Sequence, residues 1–251
     1  MALALCTATP QYAAAQTDDD MEEVQDNGGG LRRIVEQDGF TYYKENINHG
    51  IQVLDAGKRI IIPWQRGYMH VAYRAPFFSA MKRNRQGSEA QTHYRAVCRL
   101  DGTEIISADR QYTSIIYSKR FDHFTVKRGR YVGLCDADGR ELVSTSYRYI
   151  RSSVNADRYF IGSDGSACGA HDMTTGKELI SKKRGYTDIR FNPVRKFFAV
   201  EKNGRVGACL SDGREAVPPT WFSCIYNTST RTWKVKHSQN SRWEDYDAPT
   251  P

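Results

Sequence analysis

No stretch of this chain is apolar for long enough to cross a bilayer as a helix, so nothing in it reads as a membrane span. Its six cysteines include no CxxC spacing, which removes the common zinc and dithiol-redox patterns. The chain has no GxSxG elbow, no HExxH, no phosphate-binding P-loop and no GxGxxG fingerprint, so no catalytic motif and no cofactor is expected. No segment carries a convincing helical stripe.

What the chain does have is a turn glycine that recurs at Gly102, Gly139, Gly176 and Gly213, 37 residues apart each time, with Gly57 standing 45 residues before the first. The segments ending there read Gly50 to Gly57, Ala96 to Gly102, Gly133 to Gly139, Gly169 to Gly176 and Gly207 to Gly213, each a short apolar strand closed by turn residues. A second strand follows, as in Thr103-Glu-Ile-Ile-Ser107 and Arg140-Glu-Leu-Val-Ser144. After it come an aromatic residue and an isoleucine: Tyr112 with Ile115, Tyr149 with Ile150, Tyr186 with Ile189, Trp221 with Ile225. A further alternating strand opens most units, at Phe124 to Lys127, Tyr159 to Ile161 and Phe198 to Val200. Three or four strands in about 37 residues is the size of a propeller blade. The expected fold is all-β, about five hairpin or blade repeats in a closed or nearly closed propeller-like ring, with an open β-repeat stack as the alternative. Trp233-Lys-Val-Lys236 resembles a strand opening a unit and then stops, as a strand lent to the first blade or as a capping half-repeat.

The units from Phe124 to Ile150 and from Phe198 to Ile225 carry an aromatic-x-Val strand, a Gly-[Leu/Ala]-x-x-x-Asp-Gly hairpin and a following Glu-containing strand. In this they resemble the WG-repeat family. The likeness runs over about residues 34 to 226, with Tyr131 and Val132, and Val206, where that family usually has its tryptophan, so the copies are divergent. The resemblance implies an extracytoplasmic or surface repeat protein.

The ends differ from the body. Residues 1–15 read as a signal peptide shortened at its start, with Ala13-Ala-Ala-Gln16 as the cleavage pattern and Ala15 and Gln16 flanking the cut. Residues 16–31 form an acidic, glycine-ended linker, 32–236 the repeat domain and 237–251 a polar tail, mostly solvated. Export places the protein in the periplasm, on the outer surface or outside the cell. Loss of the leader leaves five cysteines, an odd number, which argues against a disulfide framework; Cys209 with Cys224, inside one unit, is the pair to check.

Residues 28 to 230 keep 32 of the 36 basic and 20 of the 29 acidic residues, a net charge of +12. Such a surface attracts polyanions. The longer spacing after Gly57 places an eight-residue insertion between Lys82 and His93, where Lys82, Arg83 and Arg85 form a basic docking loop or a tolerated surface insertion. Cys98, Cys135, His171 and Cys209 share one slot of successive units, a set that could hold zinc in a ring or fill a tightly packed sheet. Asp136-Ala-Asp-Gly139 resembles a calcium loop but is better explained as the unit's own turn. Glu104, Glu141, Glu178 and Glu215 recur in one slot, which points to a structural role. The expectation is a non-catalytic binding or scaffold protein of the bacterial envelope, with a protein or anionic glycan partner and nucleic acid disfavoured. A polysaccharide-acting enzyme and a structural subunit of an envelope assembly are the alternatives.

Overall fold

A computed structural model describes residues 30–45, 50–83, 93–153 and 156–251. The expected signal peptide, with Ala15 and Gln16 at its expected cleavage site, and most of the expected acidic linker lie outside the described residues. The chain divides into two units, Met1–Tyr73 and Arg74–Pro251. Among the described residues there is no α-helix; the strands form antiparallel sheets of three or four, joined in chain order. The first sheet is β1 (Leu31–Gln37), β2 (Phe40–Glu45), β3 (Ile51–Leu54) and β4 (Ile60–Ile62), beginning one residue inside the expected linker. Next come β5 (His70–Arg74), within which the units divide, β6 (Phe77–Arg83), β7 (His93–Cys98) and β8 (Glu104–Ile106). The third sheet is β9 (Ser114–Ser118), β10 (His123–Arg128), β11 (Tyr131–Asp136) and β12 (Glu141–Tyr147). The fourth is β13 (Tyr149–Ser153), β14 (Ala156–Ser163), β15 (Cys168–Asp172) and β16 (Glu178–Ile180). The fifth is β17 (Asp188–Asn192), β18 (Phe197–Lys202), β19 (Arg205–Leu210) and β20 (Glu215–Trp221). The last has three strands, β21 (Ser223–Asn227), β22 (Thr232–Lys236) and β23 (Glu244–Tyr246). The expected all-β, propeller-blade repeat is therefore present, each four-stranded sheet being a meander of the kind that forms a blade.

Alternation sets which face of each strand is buried. In β10, Phe124 and Val126 are buried while Lys127 and Arg128 are exposed; in β18, Phe198 and Val200 are buried around an exposed Ala199. Apolar clusters lie between consecutive sheets of the second unit, for example Ile161, Ala170, Ile180, Tyr186, Ile189 and Phe198 between the fourth and fifth. The aromatic–isoleucine pair recognised in sequence straddles two sheets: the aromatic residue closes one, and the isoleucine lies in the first strand of the next, as in the pairing of Ile115 with Val126.

The 37-residue period has a direct steric cause. Gly139, Gly176 and Gly213 have φ of +80°, +72° and +89°, and a Cβ on any of them would overlap the backbone of Ile105, Leu142 and Leu179 respectively. In each case the obstructing residue lies three positions after the preceding turn glycine. Each hairpin is thus pressed onto the fourth strand of the sheet before it, and only glycine meets both conditions.

Several sequence expectations need correction. Gly57 is not the turn glycine of the first sheet: the N–H of Lys58 donates to Asp55 O as that of Gly102 does to Arg99 O, and Lys58 has the positive φ, +62°. The spacing Lys58 to Gly102 is 44, seven more than the period, so the insertion is seven residues rather than eight. Tyr147, not Tyr149, fills the buried aromatic slot, and Tyr149 is exposed. In the units with a single 3-10 turn after the fourth strand (Trp64–Arg66, Ala108–Arg110, Lys182–Arg184), the aromatic follows ten residues after the turn residue, at Tyr68, Tyr112 and Tyr186. β12 and β20 run straight through without that turn, so Tyr147 and Trp221 arrive at eight. By the same offset Cys224, not Ile225, occupies the isoleucine slot and pairs with Val235.

The strand containing Trp233 is not lent to the first sheet; β22 lies between β21 and β23. Residues beyond 236 are correspondingly more than a solvated tail. They supply β23, and Pro249 O accepts the indole N–H of the buried Trp233 at 2.9 Å.

The glycine constraint predicts that Gly213→Ala destabilises the fold by about 3 kcal/mol or more, because conformational strain adds to backbone overlap. Gly204→Ala, at φ +69° with nothing within 4 Å of its Cβ, should cost only about 1 to 2 kcal/mol. Parallel denaturant melts of the two variants check the difference.

Candidate functional site

The chemistry-bearing residues that repeat are engaged between sheets of the second unit. The Tyr112 hydroxyl donates to Glu141 Oε2 at 3.0 Å, and the Tyr186 hydroxyl to Glu215 Oε2 at 2.5 Å. Arg110 and Arg184 reach the carbonyls of Gly139 (2.5 Å) and Gly213 (2.8 Å) and lie 3.9 and 3.8 Å from the sulfurs of Cys135 and Cys209. Burial, and then nearby negative groups, push the Tyr112 and Tyr186 hydroxyls well above the ordinary tyrosine range, keeping them neutral donors. Glu141 and Glu215 are thus acceptors in structural latches, in line with their recurrence in sequence.

His171 takes the cysteine's place in the fourth sheet. Its Nδ1 faces Gly176 O at 3.4 Å, an acceptor only, so Nδ1 carries the proton and Nε2 accepts from the Tyr147 hydroxyl at 2.9 Å. Burial holds its pKa below the usual histidine value. Cys98, Cys135 and Cys209 are fully buried, and no group of three or more His, Cys, Asp or Glu side chains that could hold a metal occurs among the described residues. Burial raises the Cys135 and Cys209 thiols to about 11. Cys209 and Cys224 are both free thiols, so the pairing considered from sequence is not made. Asp136 Oδ1 accepts the backbone N–H groups of Asp138 (3.1 Å) and Arg140 (2.8 Å), the self-bonded turn expected of this segment.

Lys82 and Arg83 stand exposed at the end of β6, opposite Tyr94 and His93; Arg85 lies outside the described residues. An antiparallel meander alternates its hairpins between two ends, and within the second unit this assigns the end of β6 to the same side as the other hairpins between second and third strands. Within the second unit these neighbours are Lys127 to Arg130 and Lys202 to Arg205, accompanied by the connections from each fourth strand onward. Bonds between them tie the end together: Arg128 to Arg110 O (2.7 Å), Lys202 to Arg184 O (2.8 Å), Lys182 to Ser146 O (3.2 Å) and Arg205 to His237 O (3.0 Å). All four acceptors are neutral carbonyls, which satisfy Arg128, Lys202 and Arg205 without cancelling their charge, while Lys182 also faces Asp164 at 3.8 Å.

The opposite end is different. Its hairpins between third and fourth strands hold five aspartates, Asp101, Asp136, Asp138, Asp172 and Asp212, against four basic residues, and the charges pair: Arg99 with Asp138, Arg140 with Asp136 at 3.0 Å, Arg214 with Asp212 at 2.7 Å. The hairpins between first and second strands at that same end carry Lys119, Arg120, Arg195, Lys196 and Arg231, so within the second unit basic residues occur at both ends, those of the first end lying on the hairpins between second and third strands and on the connections that follow the fourth. Composition gave the size of the basic excess, but only the order of strands shows where its residues lie, and Lys127, Arg130, Lys183 and Arg205 could have been singled out only by sorting hairpins by parity.

No protein-family model matches the chain, and no curated protein matches it. Among solved structures, AztD of Citrobacter koseri is 14% identical over 88% of this chain and 70% of its own, with a TM-score of 0.32. The WD40 β-propeller domain of Doa1 is 13% identical over 82% and 71%, with a TM-score of 0.26.

Because His171 and His123 both have lowered pKa values through burial, the unfolded chain binds more protons than the folded one as pH falls through the ordinary histidine range near 6.5. Their contribution to stability is therefore present above that range and lost below it. Melting temperature should fall between about pH 7.5 and 5.5, and His171→Gln, which cannot be protonated, should flatten that slope.

Proposed function

We propose that this is a non-catalytic binding or scaffold repeat protein of the bacterial envelope, built from divergent WG-type units and recognising a protein or an anionic glycan. The observation that carries the reading is the division of labour just described. The recurring glutamates, tyrosines and arginines are used in holding sheets together, while the residues left exposed belong to hairpins that differ from sheet to sheet. Repeat scaffolds commonly place recognition in such loops. The export part of the reading rests on the apolar run at Ala2 to Ala8 and the small-residue pattern at Ala13 to Gln16.

The test is retention of envelope material on the immobilised full chain, with cytosolic extract in parallel. A defined protein or glycan retained from the envelope extract, and recovered unaltered, is the expected outcome. Shortened glycan products accumulating with time would replace this reading with an enzymatic one.

A further inference from the structure

Resting on that binding-protein reading, we infer that the end of the second unit formed by the hairpins between second and third strands binds a linear acidic polysaccharide, with Lys127, Arg130, Lys183 and Arg205 as principal contacts and Lys82 and Arg83 extending the row. All six side chains are exposed. No ion pair joins Lys127, Arg130, Lys183 or Arg205 to a carboxylate in the described contacts, whereas Arg99, Arg140 and Arg214, on the opposite end's hairpins between third and fourth strands, each pair with an aspartate there. The charge at this end is predominantly positive, its acidic residues among the described ones being Asp109, Asp164, Asp188, Glu201 and Glu244, and the field from such a surface favours a polyanion.

Aromatic rings accompany the cations. The Arg130 guanidinium lies 5.2 Å from the Tyr131 ring centre, and Lys236 Nζ lies 5.2 Å from that of Trp243. Tyr149 and Phe222, which follow the fourth-strand aromatics Tyr147 and Trp221, expose their rings at the same end. Such rings offer flat apolar faces to the C–H side of a sugar, while guanidinium forks match carboxylate or sulfate oxygens.

Charge spacing selects polysaccharide over nucleic acid. The basic hairpins sit on separate sheets, and packed sheets are about 10 Å apart. Duplex DNA carries a charge every ~1.7 Å of its axis. A polymer with an acidic group on every one or two sugar rings has the sparser charge that widely set cationic hairpins can follow. The fourth sheet breaks the row, since its hairpin offers Asp164, whose carboxylate accepts the N–H groups of Ser166 and Ala167, at 2.9 Å each, and faces Lys182 at 3.8 Å.

The experiment uses the full chain, a labelled polyuronate (alginate oligomers), its methyl-esterified form and a single-stranded oligonucleotide of equal total charge, read by fluorescence anisotropy over a salt series. One variant carries Lys127→Glu, Arg130→Glu and Lys183→Glu. A control with the same charge change carries Lys119→Glu, Lys177→Glu and Lys196→Glu, on hairpins of the opposite end, and circular dichroism verifies that both fold. The expected result is binding of the polyuronate that weakens steeply with salt, is absent for the ester, drops at least about tenfold in the first variant and changes less than about threefold in the control. Equal losses in both variants would overturn the location. Tighter binding of the oligonucleotide would overturn the ligand class. No binding of the polyuronate by the wild-type chain would overturn the inference outright, and in that case a protein retained from envelope extract by both the wild type and the first variant would leave the binding-scaffold reading standing.

Discussion

The constraint on which the second unit depends is the contact between a hairpin turn and the strand that closes the preceding sheet. Gly139, Gly176 and Gly213 place their backbone where a Cβ cannot go, against Ile105, Leu142 and Leu179. Once the turn is seated there, neighbouring groups come within reach. The arginine of the preceding connection finds the turn carbonyl, and the preceding tyrosine finds the glutamate two residues past the glycine. The same close approach brings apolar faces of adjacent sheets into contact, which is where burial stabilises the stack.

The latches show how one geometry tolerates different chemistry. Where the third strand offers cysteine, the tyrosine turns to glutamate and lies near the sulfur, 3.7 Å from Cys209 in the fifth sheet. Where it offers histidine, the tyrosine hydroxyl bonds the imidazole. At the last step the aromatic is Trp221, and its buried indole N–H has no hydrogen-bond partner. The ring packs on His237 and Tyr246, at 4.6 and 5.5 Å between ring centres. An unpaired buried N–H costs stability, and among the latch aromatics described Trp221 carries that cost.

The period, the strand content and the blade-sized meander were legible because turn glycines and alternating apolar positions repeat at fixed distance. What misled was local. Glycine at 57 stands next to Lys58, which adopts the left-handed turn conformation itself, so the more permissive residue type drew the assignment by one position. Tyr149 and Ile225 stand out in the sequence over Tyr147 and Cys224 because a 3-10 turn present in some units and absent in others shifts the register by two residues, and side-chain identity alone does not reveal that shift. The role of the cysteine slot was legible only in part: small neighbours signalled tight packing, but the tyrosine opposite comes from another sheet.

The charge distribution follows from the same architecture. Turns that must seat against a neighbouring strand favour aspartate, whose side chain bonds the turn's own N–H groups, and arginines beside those aspartates neutralise them. That end of each sheet is therefore chemically committed to making the fold. The other end holds the fold by different bonds. Its cationic hairpins bond the backbone carbonyls of the adjoining connection, which lysine and arginine can do while keeping their charge. A side chain that does not have to bond a neighbouring segment is the one that can vary between sheets and carry recognition, and Lys127, Arg130 and Lys183 stand exposed in such positions.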